Sequence, residues 1–286
     1  MQNYKTFSLA AVLALVATPM LAQNSDAPKA GMIVGPGTAI LEGIAEVQVP
    51  ANFVFFDGPT TRKRLKSQGQ PVSGHELGFL KPMEGDWAVM FEFDPSGYVK
   101  DDDKDKLNAD KLLASIREGN DAANRERKSM GSPIIQLVGW EQPPHYDDTT
   151  HNLEWAVRGT VEGEAIINYN TRLLGRKGVM EVVLIVEPKD LQSTLPQFKN
   201  LLTNYKFATG QSYAEYRPGD KVAKYGLAAL ITAGAAVGAA KLGLFAWLAV
   251  VFKKFFKLII VAVVAVLAMF KKVIGRLFGR SDSSTT

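Results

Sequence analysis

The chain has no cysteine and only three histidines in 286 residues. The first absence excludes disulfide staples, thiolate metal sites and cysteine nucleophiles. The second leaves little imidazole for metal or general-base chemistry. Common catalytic signatures are missing as well. There is no G-x-S-x-G, no S-x-x-K, no G-x-x-x-x-G-K-[ST] and no G-x-G-x-x-G after a strand. A triad assembled from residues far apart in sequence is invisible to such signatures. Acidic residues are scarce at both ends, and residues 1–22 have none. Residues 220–286 carry 10 Lys/Arg against 2 Asp, whereas residues 23–219 carry 22 Lys/Arg against 27 Asp/Glu. The overall charge of +4 therefore comes from the tail, and the body is acidic. A basic globular surface for nucleic acid is not indicated.

Both ends are apolar. Residues 1–22 begin with Lys5, continue through the apolar run Phe7–Val16 and finish with Thr18-Pro19-Met20-Leu21-Ala22. That order predicts a secretory signal peptide cut after Ala22. Met20 stands where a small residue is usual, so an uncleaved anchor is the alternative. Residues 23–37 are rich in Pro, Gly and Ala and read as a linker.

Residues 220–276 read as a hydrophobic membrane anchor of two helices, followed by a polar tail over 277–286. Tyr225–Ala240 carries no charge, Lys241 interrupts, and apolar runs resume at Leu242–Phe252 and Leu258–Phe270. Apolar residues on every face of a helix call for lipid as solvent. Lys241 within a span costs about 3 kcal/mol unless it snorkels, and marks a site where another helix can meet it. Lys253, Lys254 and Lys257 favour a cytoplasmic side between the helices; Lys271 and Lys272 make the side of the tail an open alternative. Gly234 and Gly238 form a G-x-x-x-G on a small-residue surface, which suits helix packing or self-association.

Between the ends, residues 38–219 read as one exported α+β domain. Period-two runs predict strands at Ala45–Pro50, Asn52–Phe56, Trp87–Phe93, Ile134–Trp140, Leu153–Val157, Ala165–Thr171 and Val179–Val186. Helical spacing predicts helices at Thr60–Ser67, Asp105–Lys128 and Lys189–Lys206. The expected fold is a mainly antiparallel sheet with two or three helices covering one face.

Polar clusters supply the candidate chemistry. His145, Asp147 and His151 lie in one segment after Pro143-Pro144 and form a possible ligand set for zinc or another divalent metal, against the plainer reading of a polar turn. Trp140, Tyr146 and Trp155 flank that segment and suggest a ligand or peptide cleft, or else packing at a sheet edge. Arg172 and Arg176 offer an anion site, or a solvated strand face. Asp101, Asp103 and Asp105 imitate the start of an EF-hand loop. The loop fails at Lys106 and Leu112, where Gly and Glu are required, so it reads as the acidic start of a helix. No cofactor is implied.

Three strings carry a resemblance. Gly97-Tyr98-Val99-Lys100-Asp101-Asp102-Asp103, Gly139-Trp140-Glu141-Gln142-Pro143-Pro144-His145-Tyr146-Asp147 and Asn168-Tyr169-Asn170-Thr171-Arg172-Leu173-Leu174-Gly175-Arg176-Lys177-Gly178 resemble a bacterial membrane-anchored family known as domain of unknown function 2167. Lys221-Val222-Ala223-Lys224-Tyr225-Gly226 continues it. The resemblance implies a signal peptide, an exported domain and C-terminal membrane helices, and it implies no activity. The strand–helix outline is also similar to the small α+β domains of the PsbP and Mog1 type, a likeness of fold only. The expectation is a bacterial inner-membrane protein with its main domain in the periplasm. It would bind lipid and an envelope protein partner, and act as a binding or scaffold module rather than an enzyme. The alternatives are a metal sensor or metal-dependent enzyme using residues 145–151, and an accessory subunit of an envelope transport or stress-response complex.

Overall fold

In the computed structural model, residues 30–67, 72–129, 134–161 and 163–236 are described. The strands are β1 (Met32–Val34), β2 (Gly37–Leu41), β3 (Ala45–Val49), β4 (Phe53–Asp57), β5 (Glu76–Pro82), β6 (Ala88–Asp94), β7 (Gln136–Asp147), β8 (Asn152–Val161), β9 (Glu164–Leu174), β10 (Val179–Val186) and β11 (Tyr205–Phe207). The helices are α1 (Gly58–Ser67), α2 (Ala109–Ser129), α3 (Leu191–Thr203) and α4 (Leu227–Ala236). Eight strands form an antiparallel sheet in the order β1-β4-β5-β6-β10-β9-β8-β7. A second, three-stranded sheet has the order β11-β3-β2. The class is α+β, as the alternation of apolar and turn residues predicts.

Alternation also explains the layers. Along β9, Ile167, Tyr169 and Leu173 enter one apolar cluster, whereas Ile166 and Leu174 enter the other. Successive side chains of a strand point to opposite faces, so a central strand with apolar residues at both parities must be covered twice. One cover comes from α1, α2 and α4 through Leu65, Leu112, Ile116, Leu227, Leu230 and Ile231. The other comes from the small sheet and α3, through Leu41, Val47, Phe198 and Leu201. The expected cover on one face is thus corrected to covers on both. The second arises because β2, β3 and β11 form a separate sheet.

Two strands depart from the expected outline. β7 does not stop at Trp140 but runs through Pro143-Pro144 to Asp147. Proline lacks a ladder donor, yet an edge strand tolerates it, and β7 is the last strand of its sheet. Register shifts between Leu137/Gly139, Trp140/Gln142 and Gln142/His145 accommodate the irregularity. β1 and β2 begin inside or at the end of the expected linker 23–37, with Met32 paired to Phe56. At the other end the folded unit continues past 219, because Leu227 is fully buried and Leu230 and Ile231 nearly so. Among the described residues no helix is long and apolar enough to cross a membrane. The signal-peptide region and the apolar chain beyond Ala236 lie outside the described residues.

Candidate functional site

The loop leaving β6 and the chain entering α4 are joined group by group. Gly97 has φ +102°, and a Cβ there would lie 2.4 Å from the Lys221 carbonyl oxygen. Only glycine suits both the left-handed conformation and that approach. Tyr98 N–H then donates to Lys221 O at 2.8 Å, and Ala223 N–H donates to Tyr98 O at 2.8 Å, a short parallel bridge. The Asp103 carboxylate accepts from the backbone N–H groups of Leu227 and Ala228 at 3.0 and 3.2 Å. Asp103 therefore satisfies two of the donors that the start of α4 would leave open. Gly226 makes room for it, since a Cβ there would come within 2.8 Å of the carboxylate.

Side chains reinforce this junction. Arg176 donates through Nε and Nη2 to the two carboxylate oxygens of Asp220 at 2.7 and 2.8 Å. Lys221 Nζ donates to Pro95 O at 2.8 Å, and Tyr225 Oη donates to Asp94 Oδ2 at 2.5 Å. The Arg176 guanidinium holds the Asp220 carboxyl down to about 2. Glu215 is held down to about 2 as well, by the Ser212 hydroxyl and by backbone N–H groups of Ser212 and Gly210.

A row of rings lies beside the junction. Tyr98 stacks on Tyr213 at 4.4 Å between centroids and meets Tyr216 at 4.3 Å with the planes tilted by 33°. His151 lies 4.6 Å from Tyr213. His151 sits in the β7–β8 turn at φ 54°, a left-handed position that a non-glycine residue seldom takes. Its Nδ1 is 3.0 Å from Tyr146 Oη, which donates to Asp101 Oδ2 at 2.8 Å. Burial and the Asp101 carboxylate together push the Tyr146 phenol above its ordinary range. Burial alone would raise Asp101, but hydrogen bonds, first that from Tyr146, bring it below its ordinary value. Lys104 pairs with Asp148 and ties the same loop to the hairpin turn. Tyr146 Oη thus links the Asp101 carboxylate to His151 Nδ1.

The sequence candidates are distributed differently from their expected grouping. His145 is exposed and in register with Glu154, whereas Tyr146 is in register with the core residue Leu153. The Asp147 carboxylate caps its own turn, accepting from Thr149 N–H and Thr150 N–H at 2.8 and 3.2 Å. His151 turns instead toward Tyr146 and Tyr213. The three are not assembled as a metal site, and among the described residues no group of three or more His, Cys, Asp or Glu is placed to hold a metal ion. Trp140, Tyr146 and Trp155, read either as a cleft or as packing, take part in packing and hydrogen bonds. Trp155 is 4% exposed with the Arg172 guanidinium 4.8 Å above its ring. Trp140 Nε1 donates to Ala109 O at 3.2 Å. Nor do Arg172 and Arg176 form one anion site: Arg172 is buried and pairs with Glu181 at 3.0 Å, while Arg176 pairs with Asp220. Gly234 is on α4, and Gly238 and Lys241 lie outside the described residues.

Sequence reasoning missed Tyr98, Tyr213 and Tyr216 as one row, and Asp101 and Asp103 as holders of Tyr146 and α4. The only signal available was the Gly-Tyr at 97–98 beside a run of aspartates. A second unforeseen cluster lies on the opposite face, where Tyr169 Oη donates to Glu154 at 2.9 Å and Lys199 pairs with the same carboxylate.

Residues 33–265 match the model of a protein family described as "Protein of unknown function (DUF2167)". No curated protein sequence matches significantly. Among solved structures, cyanobacterial PsbP (CyanoP) from Synechocystis sp. PCC 6803 is matched at 12% identity and a TM-score of 0.37, covering 65% of this chain and 98% of that one. The Saccharomyces cerevisiae Ran-binding protein Mog1p is matched at 8% identity and a TM-score of 0.32, covering 65% of this chain and 100% of that one. Likeness at this level carries no functional argument.

Proposed function

The chain belongs to the DUF2167 family, and on that premise we propose that it is a membrane-anchored bacterial envelope protein whose folded unit is a non-enzymatic binding or scaffold module. The observation that carries this reading is the use made of the charged motif residues. Asp103, Arg176 and Asp94 all engage the segment 220–228 that leads into the apolar tail. Asp103 and Arg176, which looked available for chemistry, are engaged in fixing how the chain leaves the domain. The remaining apolar sequence, from Val237 to Phe270 with its few lysines, suits lipid. The signal-like residues 1–22 and the apolar tail support an anchor in the inner membrane with the folded unit in the periplasm. A protein or lipid of the envelope is its partner, and Gly234 and Gly238 offer a surface for self-association.

The test has two parts. The intact chain should stay with membranes through an alkaline carbonate wash, while a chain ending at Ala236 should leave with the aqueous fraction. Crosslinking in native membranes followed by mass spectrometry should then recover one recurrent envelope protein bound through the folded unit. Intact chain in the detergent-free aqueous fraction would overturn the anchor. Turnover of an envelope substrate by the purified domain would overturn the non-enzymatic part.

A further inference from the structure

The strands that end the two sheets differ in how their free edges are closed. An edge strand leaves part of its backbone unpaired, and folded proteins close such edges with proline, charge, bulges, brevity or a covering element. β7 ends the large sheet and is closed in several ways. Pro143-Pro144 and three register shifts interrupt it, and side chains of α2 take up backbone groups at its start. Arg117 Nη2 donates to Val138 O at 3.2 Å, Asn120 Nδ2 donates to Ile135 O at 3.0 Å, and Ile135 N–H donates to Asn124 Oδ1 at 2.9 Å. β1, at the other end of that sheet, is only three residues long. So is β11, which carries Lys206 at its centre.

β2 has none of these devices. It ends the small sheet, and its five residues, Gly37-Thr38-Ala39-Ile40-Leu41, include no charge and no proline. All five pair with β3 without a register shift. Beyond that ladder and the turn bond from Ile44 N–H to Leu41 O, its backbone makes no hydrogen bond among the described residues. Ala39 and Leu41 are fully buried, which holds the strand in place, while Ile40 on the outer face is 59% exposed.

Charge decides what fits this edge. The body of the chain is acidic, which in general keeps copies apart. Beside β2, however, the carboxylates are countered. Glu42 pairs with Arg62 at 3.2 Å, and Glu46 stands in register between Ile40 and Lys206. An antiparallel copy of β2 in full overlap sets Ala39 against Ala39, Thr38 against Ile40 and Gly37 against Leu41, so no like charges are opposed. Ala39 and Leu41 stay on the core side in both copies, and the isologous contact closes after two.

We propose that β2 is the seam at which a second copy of this chain docks, pairing antiparallel so that the two small sheets become one. The seam is separate from Gly234 and Gly238 and does not depend on the membrane anchor.

The absence of cysteine makes the test direct. Differently tagged full chains carrying Thr38→Cys and Ile40→Cys are co-expressed and oxidised in whole cells with copper phenanthroline. Across the seam these two positions face each other with Cβ atoms ~4.5–5.5 Å apart. Two copies of the same variant would hold their Cα atoms about 8 Å apart, beyond the reach of a disulfide. The mixed pair should therefore yield at least about threefold more linked dimer than either variant alone. Gln136→Cys with Val138→Cys, on the closed edge of β7, should yield no excess. In a separate chain, a benzophenone amino acid at the exposed position 40 should give, on irradiation, an adduct of twice the chain mass. If the cysteine variants melt below the parent chain, that adduct alone decides. No excess from the mixed pair in normally melting chains, an equal excess at β7, or a photoadduct formed only with a different protein overturns the proposal.

Discussion

Arg176 and Asp220 form the best-defined ion pair of the C-terminal junction, and both are part-buried, so their worth is best read from pH dependence. A carboxyl held below its ordinary value stabilises the folded state above that ordinary value, and the gain is lost as pH falls toward the folded value. Asp220 and Glu215, each held down to about 2, should thus make stability fall between about pH 4 and pH 2. Asp220→Asn should lower the melting temperature at pH 7 and flatten its decline across that window in a thermal scan series. An unchanged decline would show that the pair contributes nothing. Tyr146→Phe removes a donor from a carboxylate and should cost about 1.5–3 kcal/mol in chemical denaturation. Asn168 gives the opposite sign. It is fully buried, and neither side-chain polar atom has a hydrogen-bond partner among the described residues. Asn168→Leu should therefore stabilise by roughly 1–3 kcal/mol by removing that desolvation cost, and a lower denaturation midpoint would contradict it.

Among the elements, α4 depends most on a residue remote in sequence. Its cap, Asp103, precedes it by more than a hundred positions. Asp103→Ala should destabilise by about 1 kcal/mol, within the ~0.5–2 kcal/mol range of lost caps. Hydrogen exchange should show the loss concentrated at Leu227–Ile231, with β8–β10 still protected. Gly226→Ala should act on the same element by pushing against that carboxylate. The strands were more legible than the helix starts. β10 could be read directly because Val179–Val186 is a β-branched run after a Gly-Arg-Lys-Gly turn. The beginning of α2 could not. Lys104–Lys106 forms a separate 3-10 turn because Asp101 and Asp103 serve Tyr146 and α4, leaving only Asp105 of the three exposed.

For the whole molecule, the consequence is that the domain ends later than its charge pattern suggests. A chain stopped at Gly219 loses three nearly or fully buried side chains, Leu227, Leu230 and Ile231, from one core. At ~1.5–3 kcal/mol each this is roughly 5–9 kcal/mol, comparable with the ~5–15 kcal/mol stability of a whole domain. That shorter chain should aggregate or unfold at ambient temperature, whereas a chain ending at Ala236 should melt cooperatively. Cooperative melting of both with equal midpoints would refute the packing role of α4.

By itself the sequence determined the α+β class, most of the strands and the apolar character of both ends, because local alternation and charge report what each residue needs. It did not determine which solvent takes each apolar residue. Leu227–Ile231 reads the same whether it enters lipid or a protein core, and only the sheet surface beside α2 decided that it is buried by the domain. The same holds for Asp101, Asp103 and Arg176. Their charges were visible, but an ion pair or a cap is made with a partner brought close by folding. Those partners stand 44 to 125 positions away along the chain.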